Sequence, residues 1–253
     1  MPGGSPETTP EPVLTGERTW PGIPSEMYWF SRHLACYEWA ATKVATQGNA
    51  RASILDAGAG EGYGSRVLAD STSGQVAGAE LDLSTMAHLV TNYPEVSGVV
   101  ANLVALPFRT GAFTAAVSLQ VIEHIWDPET YIRELDRCSS GPIVISTPNR
   151  PVHSPGLGPG EDPTNPFHVR EFDGGELVEL LTCTVPHRAP SLFGIQHGPR
   201  ISDWEQRHGS LPQRLMSDDT DAALQFSTSV RAGDFEIVPI EVDAPVLDLI
   251  AVL

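Results

Sequence analysis

Apolar and polar positions along the chain follow two alternating rhythms. Between Ser25 and Thr46, the residues Met27, Phe30, Leu34, Tyr37 and Ala41 recur at three- and four-residue spacing, which predicts a helix ended by Gly48 and Asn49. From Ala52 onward, short apolar runs bounded by glycine, asparagine and proline take over. They predict strands at Ala52–Ala57, Val76–Glu80, Gly98–Asn102, Ala115–Gln120 and Pro142–Thr147. Helices are expected between them, one to about Asp70, one from Ser84 to about Tyr93, and one from Pro128 to Cys138. Proline suits the first turn of the last, because an N–H there has no helical partner to lose. A further helix is predicted over Gly174–Cys183. Two late strands follow at Ala189–Ile195 and Val246–Leu253, with Asp234-Phe-Glu-Ile-Val-Pro just before the second.

Strands alternating with helices at this spacing imply an α/β fold. The expected architecture is a Rossmann-like, seven-stranded, mostly parallel sheet with helices on both faces. Residues 1–15, rich in Pro, Gly, Glu and Thr, read as a disordered tail, 16–50 as an N-terminal helical cap and 51–253 as the main domain. Within that domain, 150–170 is a Pro/Gly-rich loop and candidate lid, and Arg150 to Pro166 is too rich in both for the interior of any element. The polar, mixed stretch 197–229 is expected as an insertion before the last strand.

Charge narrows the range of partners. Fifteen Lys plus Arg stand against 32 Asp plus Glu, a net charge of −17, and Lys43 is the one lysine. Nucleic acids and anionic membranes bind mainly through basic surface, so neither is an expected partner. Cys36, Cys138 and Cys183 are far apart in sequence and read as free thiols of a reducing compartment. No apolar run approaches the ~18 residues of a membrane span, and no secretory h-region is visible, so the expected location is cytoplasmic.

The densest chemistry follows the first strand, where Ile54-Leu-Asp-Ala-Gly-Ala-Gly-Glu-Gly-Tyr-Gly brings Gly58, Gly60, Gly62 and Gly64 together. Glycine is needed where a strand turns sharply into a helix and where backbone must approach a ligand. Asp56, ahead of the glycines, would repel a pyrophosphate and suits a ligand with a positive centre and an amino group. Glu80 ends the second strand, where an acid accepts both hydroxyls of a ribose. Asn102 ends the third, where a side-chain amide can bond an adenine amino group. Three successive strand ends thus offer groups for an amino acid, a ribose and an adenine, the outline of S-adenosylmethionine.

The motifs I-L-D-A-G-A-G-E-G-Y-G, V-A-G-A-E, L-P-F, Q-V-I-E-H and S-T-P-N-R resemble those of class I S-adenosylmethionine-dependent methyltransferases, over Ala52 to about Asn149. G-E-R-T, Y-W-F-S-R-H, A-N-L, Q-V-I-E-H-I-W-D, N-P-F-H-V-R-E, H-G-P-R, R-H-G-S and L-D-L-I-A resemble actinobacterial sugar O-methyltransferases, nearest those that act at the 1-O position of methylmannose polysaccharide precursors. The resemblance implies cofactor contacts at Asp56, Gly58, Gly60, Glu80, Leu81, Asn102, Leu103 and Gln120. The broad class usually carries Asp where Asn102 stands, and an amide keeps an acceptor oxygen there. The implied acceptor is a small molecule or oligosaccharide, and a homodimer is a candidate assembly.

Methyl transfer to a neutral hydroxyl needs alignment first and removal of a proton second. Alignment contributes on the order of 7–11 kcal/mol and a general base about 10²–10⁴-fold in rate. Glu123 and His124, after the fourth strand, are candidates for the base or for a divalent cation site. In related quinone-precursor O-methyltransferases a carboxylate–carboxylate–His cluster at this place binds magnesium, and here Gln120 replaces its first member. His168 is a further candidate, on a segment that by resemblance closes over the acceptor. Tyr28, Trp29 and His33 on the first helix, and His197 and Arg200 flanking a Gly-Pro turn, are candidate acceptor contacts. Two other readings compete, a natural-product methyltransferase acting on nitrogen or carbon of an indole-like aromatic, and a non-catalytic S-adenosylmethionine-binding module.

Overall fold

The computed structural model describes residue 19 and residues 23–45, 52–217 and 221–253. The expected tail and the helix stop at Gly48 and Asn49 lie outside the described residues. Eight strands form one sheet: β1 (Ser53–Ala57), β2 (Gln75–Glu80), β3 (Val96–Val100), β4 (Ala115–Leu119), β5 (Ile143–Pro148), β6 (Ser191–His197), β7 (Phe235–Pro239) and β8 (Asp248–Val252). Their spatial order is β3-β2-β1-β4-β5-β8-β6-β7. Pairing is parallel from β3 across to β5 and antiparallel at β5–β8, β8–β6 and β6–β7.

The central strands read as unbroken apolar runs because both of their faces are covered. Ile54, Val117 and Val144 pack on one face beneath α1 (Met27–Val44), α2 (Tyr63–Ser71), α3 (Leu83–Asn92) and α7 (Pro199–His208). Leu55, Ala116, Ile143 and Ile145 pack on the other face beneath α4 (Pro128–Cys138) and α6 (Gly174–Thr184). The helix starts follow from local chemistry. Asp82 accepts from Thr85 N–H at the head of α3, Asp127 from Thr130 N–H at α4, and Asp173 with Glu176 forms a capping box at α6.

Three expectations need correction. The sheet has eight strands, because Phe235–Pro239 pairs with β6 as an edge strand, its buried Phe235 followed by exposed Glu236. The parallel run is confined to five strands. β8 follows the short, helix-free stretch 240–247, which carries the chain across β6, so β8 runs in the same direction as β7 and enters between β5 and β6 antiparallel to both. Third, the Pro/Gly-rich segment opens with one helical turn, α5 (Arg150–His153), since Pro151 falls in the first turn, where proline is tolerated. The chain from 197 to 229 carries α7, α8 (Leu211–Leu215) and α9 (Asp221–Ser227), which link β6 to β7. Among the described residues no helix is long and apolar enough to cross a membrane. Cys36, Cys138 and Cys183 are free thiols.

Helix α1 is tied to the last strand by charge. Arg32 Nε lies 3.2 Å from Asp248 Oδ2, and both side chains are buried. His153 Nε2 stands 3.6 Å from the other Asp248 oxygen, and the Arg32 guanidinium sits 5.0 Å over the Trp29 ring. Burial opposes the Asp248 charge, but Arg32 and His153 hold its carboxyl below the ordinary value. Breaking such a pair from one side leaves an uncompensated buried charge. Arg32→Leu is therefore expected to cost about 3–5 kcal/mol, and Arg32→Leu/Asp248→Leu clearly less. Urea unfolding of both variants checks this, and a single-variant cost under about 1 kcal/mol would show that the pair does not anchor α1.

Candidate active site

The carboxyl ends of β1, β2 and β4 converge on one edge of the sheet, where ligands of open parallel sheets bind. The turn after β1 is glycine by necessity. Gly58 has φ +84°, and a Cβ there would lie 2.4 Å from Val121 Cγ2. Gly62 has φ +94° and caps the start of α2. Gly58 N–H and Ala59 N–H both donate to Ala79 O of β2, at 2.8 and 3.0 Å, which clamps the turn over the sheet edge.

A cavity of about 510 Å³ opens there, within the size range of small-molecule sites. Gly58, Gly60, Glu80, Leu81, Asn102, Leu103 and Gln120 line it, joined by Asp82, Leu83, Val121, His124 and Ile125. Glu80 Oε1 accepts from Leu81 N–H at 2.8 Å and Asp82 N–H at 3.0 Å, while Oε2 accepts from Gly60 N–H at 3.1 Å. The carboxylate is thereby held at the cavity wall. Asn102 Oδ1 accepts from Val104 N–H at 3.1 Å. A smaller cavity of about 80 Å³ shares Gly58, Gly60 and Gln120, and is otherwise walled by Thr19, His33, Tyr37 and Tyr63, among others.

Asp56 sits elsewhere. It is fully buried beneath the glycine turn and lines neither cavity. Ser65 Oγ donates to one of its oxygens at 2.6 Å and Tyr37 OH to the other at 3.2 Å. Burial pushes its carboxyl up to about 7, against the pull of those two hydrogen bonds. Asp56 therefore fixes the start of α2 and α1 against β1.

Beyond β4 the chain is bent hard. Gln120 has φ 57°, the one non-glycine residue at positive φ among the described residues. Its N–H donates to Ser146 O at 3.0 Å, and its Nε2 to Ser146 Oγ at 3.1 Å. A 3-10 turn, Ile122–His124, follows at once. Glu123 is buried there and accepts from Thr147 Oγ1 at 3.1 Å. Burial pushes its carboxyl up to about 8, aided by the charges of Asp248 and Glu171, so it is protonated at neutral pH.

The segment before α6 lies over this turn. Val169 N–H and Arg170 N–H both donate to Glu123 O, at 2.8 and 3.2 Å, and His124 Nδ1 donates to Phe167 O at 2.9 Å. Two tautomers follow from these partners, because a carbonyl or a carboxylate oxygen only accepts. His124 carries its proton on Nδ1. His168 Nδ1 faces Glu171 Oε1 at 2.7 Å and likewise donates, leaving Nε2 to accept from Asn165 Nδ2 at 3.0 Å. Burial would raise Glu171, but hydrogen bonds from His168 and Ser154 outweigh it and hold the carboxyl below its ordinary value. One ligand-type atom each from Glu123, His124 and His168 lie within 4.8 Å of one another. The structure thus brings the three expected reactive residues into a single cluster, with His124 on the cavity wall.

The expected acceptor contacts divide. His33 lines the smaller cavity, and burial, reinforced by Arg32, pushes its imidazole down to about 4, so it is neutral. Tyr28 is buried and hydrogen-bonds His197 Nε2 at 2.6 Å, while His197 Nδ1 donates to Glu205 at 2.9 Å. Both nitrogens of His197 are therefore engaged inside the fold. Trp29 packs edge-on against Tyr28 at 4.8 Å. Arg200 donates to Ser229 O at 3.0 Å and Asp234 at 2.6 Å, which ties α7 to the start of β7. None of these last four residues lines either cavity. Sequence reasoning assigned no role to Glu171, Thr147, Ser146 or Asp248, although the motifs N-P-F-H-V-R-E, S-T-P-N-R and L-D-L-I-A contain them.

Comparison with known proteins agrees with this geometry. Residues 55–141 match a family model described as a methyltransferase domain. A probable S-adenosylmethionine-dependent methyltransferase of Mycolicibacterium smegmatis is 37% identical over 251 residues, covering 94% of this chain and 93% of that relative. Another, from Mycobacterium tuberculosis, is 40% identical over 199 residues, 78% of this chain and 69% of the relative. A solved SAM-dependent methyltransferase from Thermotoga maritima shares the fold, with a TM-score of 0.57 over 88% of this chain and 91% of that one at 13% identity.

Two outcomes test the site. Glu80→Ala is expected to weaken S-adenosylmethionine binding at least about tenfold in calorimetry, and unchanged affinity would remove Glu80 from the site. Glu123 bears on stability. Its folded value near 8 exceeds the ~4.5 of an unfolded chain, so its contribution is full below that lower value and is lost as pH rises through about 8. Glu123→Gln has no such titration. Its stability relative to wild type is expected to improve by more than about 1 kcal/mol between pH 5 and 9, and a flat difference would mean Glu123 is not held neutral.

Proposed function

The chain belongs to the S-adenosylmethionine-dependent methyltransferases, and we propose that it transfers the cofactor's methyl group to a hydroxyl of a neutral sugar or oligosaccharide. The observation that carries the proposal is the pairing of His168 with ionised Glu171 inside the Glu123–His124–His168 cluster, at the edge of the cofactor-sized cavity. A neutral hydroxyl attacks the methyl carbon opposite the departing sulfur, and its proton must go to a base as the new bond forms. His168 is suited to receive it at Nε2 once the acceptor displaces the Asn165 amide that donates there, because Glu171 fixes the tautomer and stabilises the imidazolium that results. His124, on the cavity wall, borders the path by which the hydroxyl approaches. Glu123, protonated, adds a neutral hydrogen-bonding group and no repulsion. Glu80 and Asp82 on the cavity wall favour the sulfonium cofactor and disfavour a phosphorylated acceptor.

The same three side chains also suit a divalent cation. Each histidine turns Nδ1 to an oxygen acceptor, the usual support for a metal-ligating Nε2, although an ion on His168 would have to displace the Asn165 amide. Two imidazoles and one carboxyl favour a borderline transition ion over magnesium, and Gln120 is committed to Ser146. Such an ion, when bound, would lower the pKa of the acceptor hydroxyl.

S-adenosylhomocysteine release with neutral hexose oligosaccharides and with indole-type aromatics, each with and without chelator, tests the proposal. Turnover on sugars that survives chelator supports histidine base catalysis, and chelator loss restored by added manganese assigns the cluster to a cation. Turnover on aromatics alone would overturn the sugar reading. His168→Ala is expected to lower kcat by about 10²–10⁴-fold while cofactor affinity stays near wild type. A fall in cofactor affinity instead would make His168 structural.

A further inference from the structure

Exposed apolar side chains are unevenly distributed around the site. Leu81 and Leu83 line the cavity on the β2–α3 side, 66% and 71% exposed. Beyond the cavity lining, Trp126 is 86% exposed and Phe167 42%. Phe167 offers its carbonyl to His124, and Trp126 follows Ile125, which lines the cavity. Two exposed aromatic residues thus adjoin the site, Trp126 through the chain and Phe167 through its carbonyl, and no part of the proposed chemistry uses their rings.

The main chain at Trp126 is fixed on both sides. The 3-10 turn Ile122–His124 fixes the chain before it, and the capped N-terminus of α4 fixes it afterwards, with Asp127 accepting from Thr130 N–H at 3.0 Å and Pro128 buried. The flat apolar face of the Trp126 indole, with its polar N–H, matches a ring with one apolar face and a hydroxylated rim. The adjacent Asp127, the carboxylates Glu80 and Asp82 of the cavity and the net charge of −17 argue for a neutral occupant.

We propose that Trp126 is the platform of a second acceptor subsite, which stacks on the apolar face of a neutral sugar ring one unit away from the ring that is methylated. This rests on the sugar reading of the active site and adds that the acceptor is at least two units long. A ring on Trp126 anchors the acceptor by uniform binding, which lowers KM and leaves kcat alone.

The test compares wild type with Trp126→Ala and Trp126→Phe on neutral hexose acceptors of increasing length. Trp126 is surface-exposed, so neither variant disturbs the core. Trp126→Ala is expected to raise KM for disaccharides and longer acceptors at least about tenfold, with kcat within about twofold, and Trp126→Phe to recover part of the loss. KM for a monosaccharide and the Kd for S-adenosylhomocysteine stay unchanged. Equal KM values for all proteins overturn the subsite, and so does a parallel rise for the monosaccharide, which would put Trp126 against the reacting ring. If wild type methylates no sugar, the acceptor reading above fails by itself. Binding then decides the subsite: a blue shift of indole emission on adding oligosaccharide to the S-adenosylhomocysteine complex, absent in Trp126→Phe, supports it, and no shift overturns it.

Discussion

The reactive edge of this molecule is organised around the main chain of a single residue. The Glu123 carbonyl accepts two N–H groups from Val169 and Arg170, and its side chain takes a hydrogen bond from Thr147 of β5. That one position joins the turn after β4, the fifth strand and the segment that leads into α6. The carboxyl group tolerates burial by keeping its proton, while Glu171 close by keeps its charge because His168 and Ser154 hydrogen-bond it. Two acids far apart in sequence but within reach of each other's charge thus hold opposite protonation states, and difference in environment is the cause.

Backbone strain serves the same arrangement. Gln120 at positive φ reverses the chain as it leaves β4, and Ser146 on the neighbouring strand compensates with two oxygen acceptors. The reversal points His124 into the cavity and brings Val121 over Gly58, so the glycine turn and the reactive turn depend on one another. On the far side, the buried Arg32–Asp248 pair fastens α1, and with it His33, beside the same edge.

Much of this was legible in the chain. Apolar runs with breakers between them located the five parallel strands, and strand ends carrying Gly58, Glu80 and Asn102 located the cavity. Other features depend on tertiary contacts that no local pattern encodes. Phe235–Pro239 is as long as β1 but half-exposed, and it does not stand out as a strand until β6 pairs with it. Asp56 sits one strand position from the glycine turn, yet Tyr37 and Ser65 capture it from two helices. His197 and Arg200 resemble site residues in sequence, but Glu205, Tyr28 and Asp234 occupy them inside the fold. Glu171 lies three residues from His168, and only the turn geometry makes it that residue's partner.

The central claim is that the cofactor lies along the ends of β1, β2 and β3 with its methyl-bearing sulfur directed at the Glu123–His124–His168 cluster. A crystal structure of the S-adenosylhomocysteine complex tests this most directly. The account predicts ribose hydroxyls on Glu80, adenine between Leu81 and Leu103 near Asn102, and the sulfur facing His124. A ligand whose sulfur points away from that cluster, or one bound outside the cavity of Gly58 and Glu80, would contradict it.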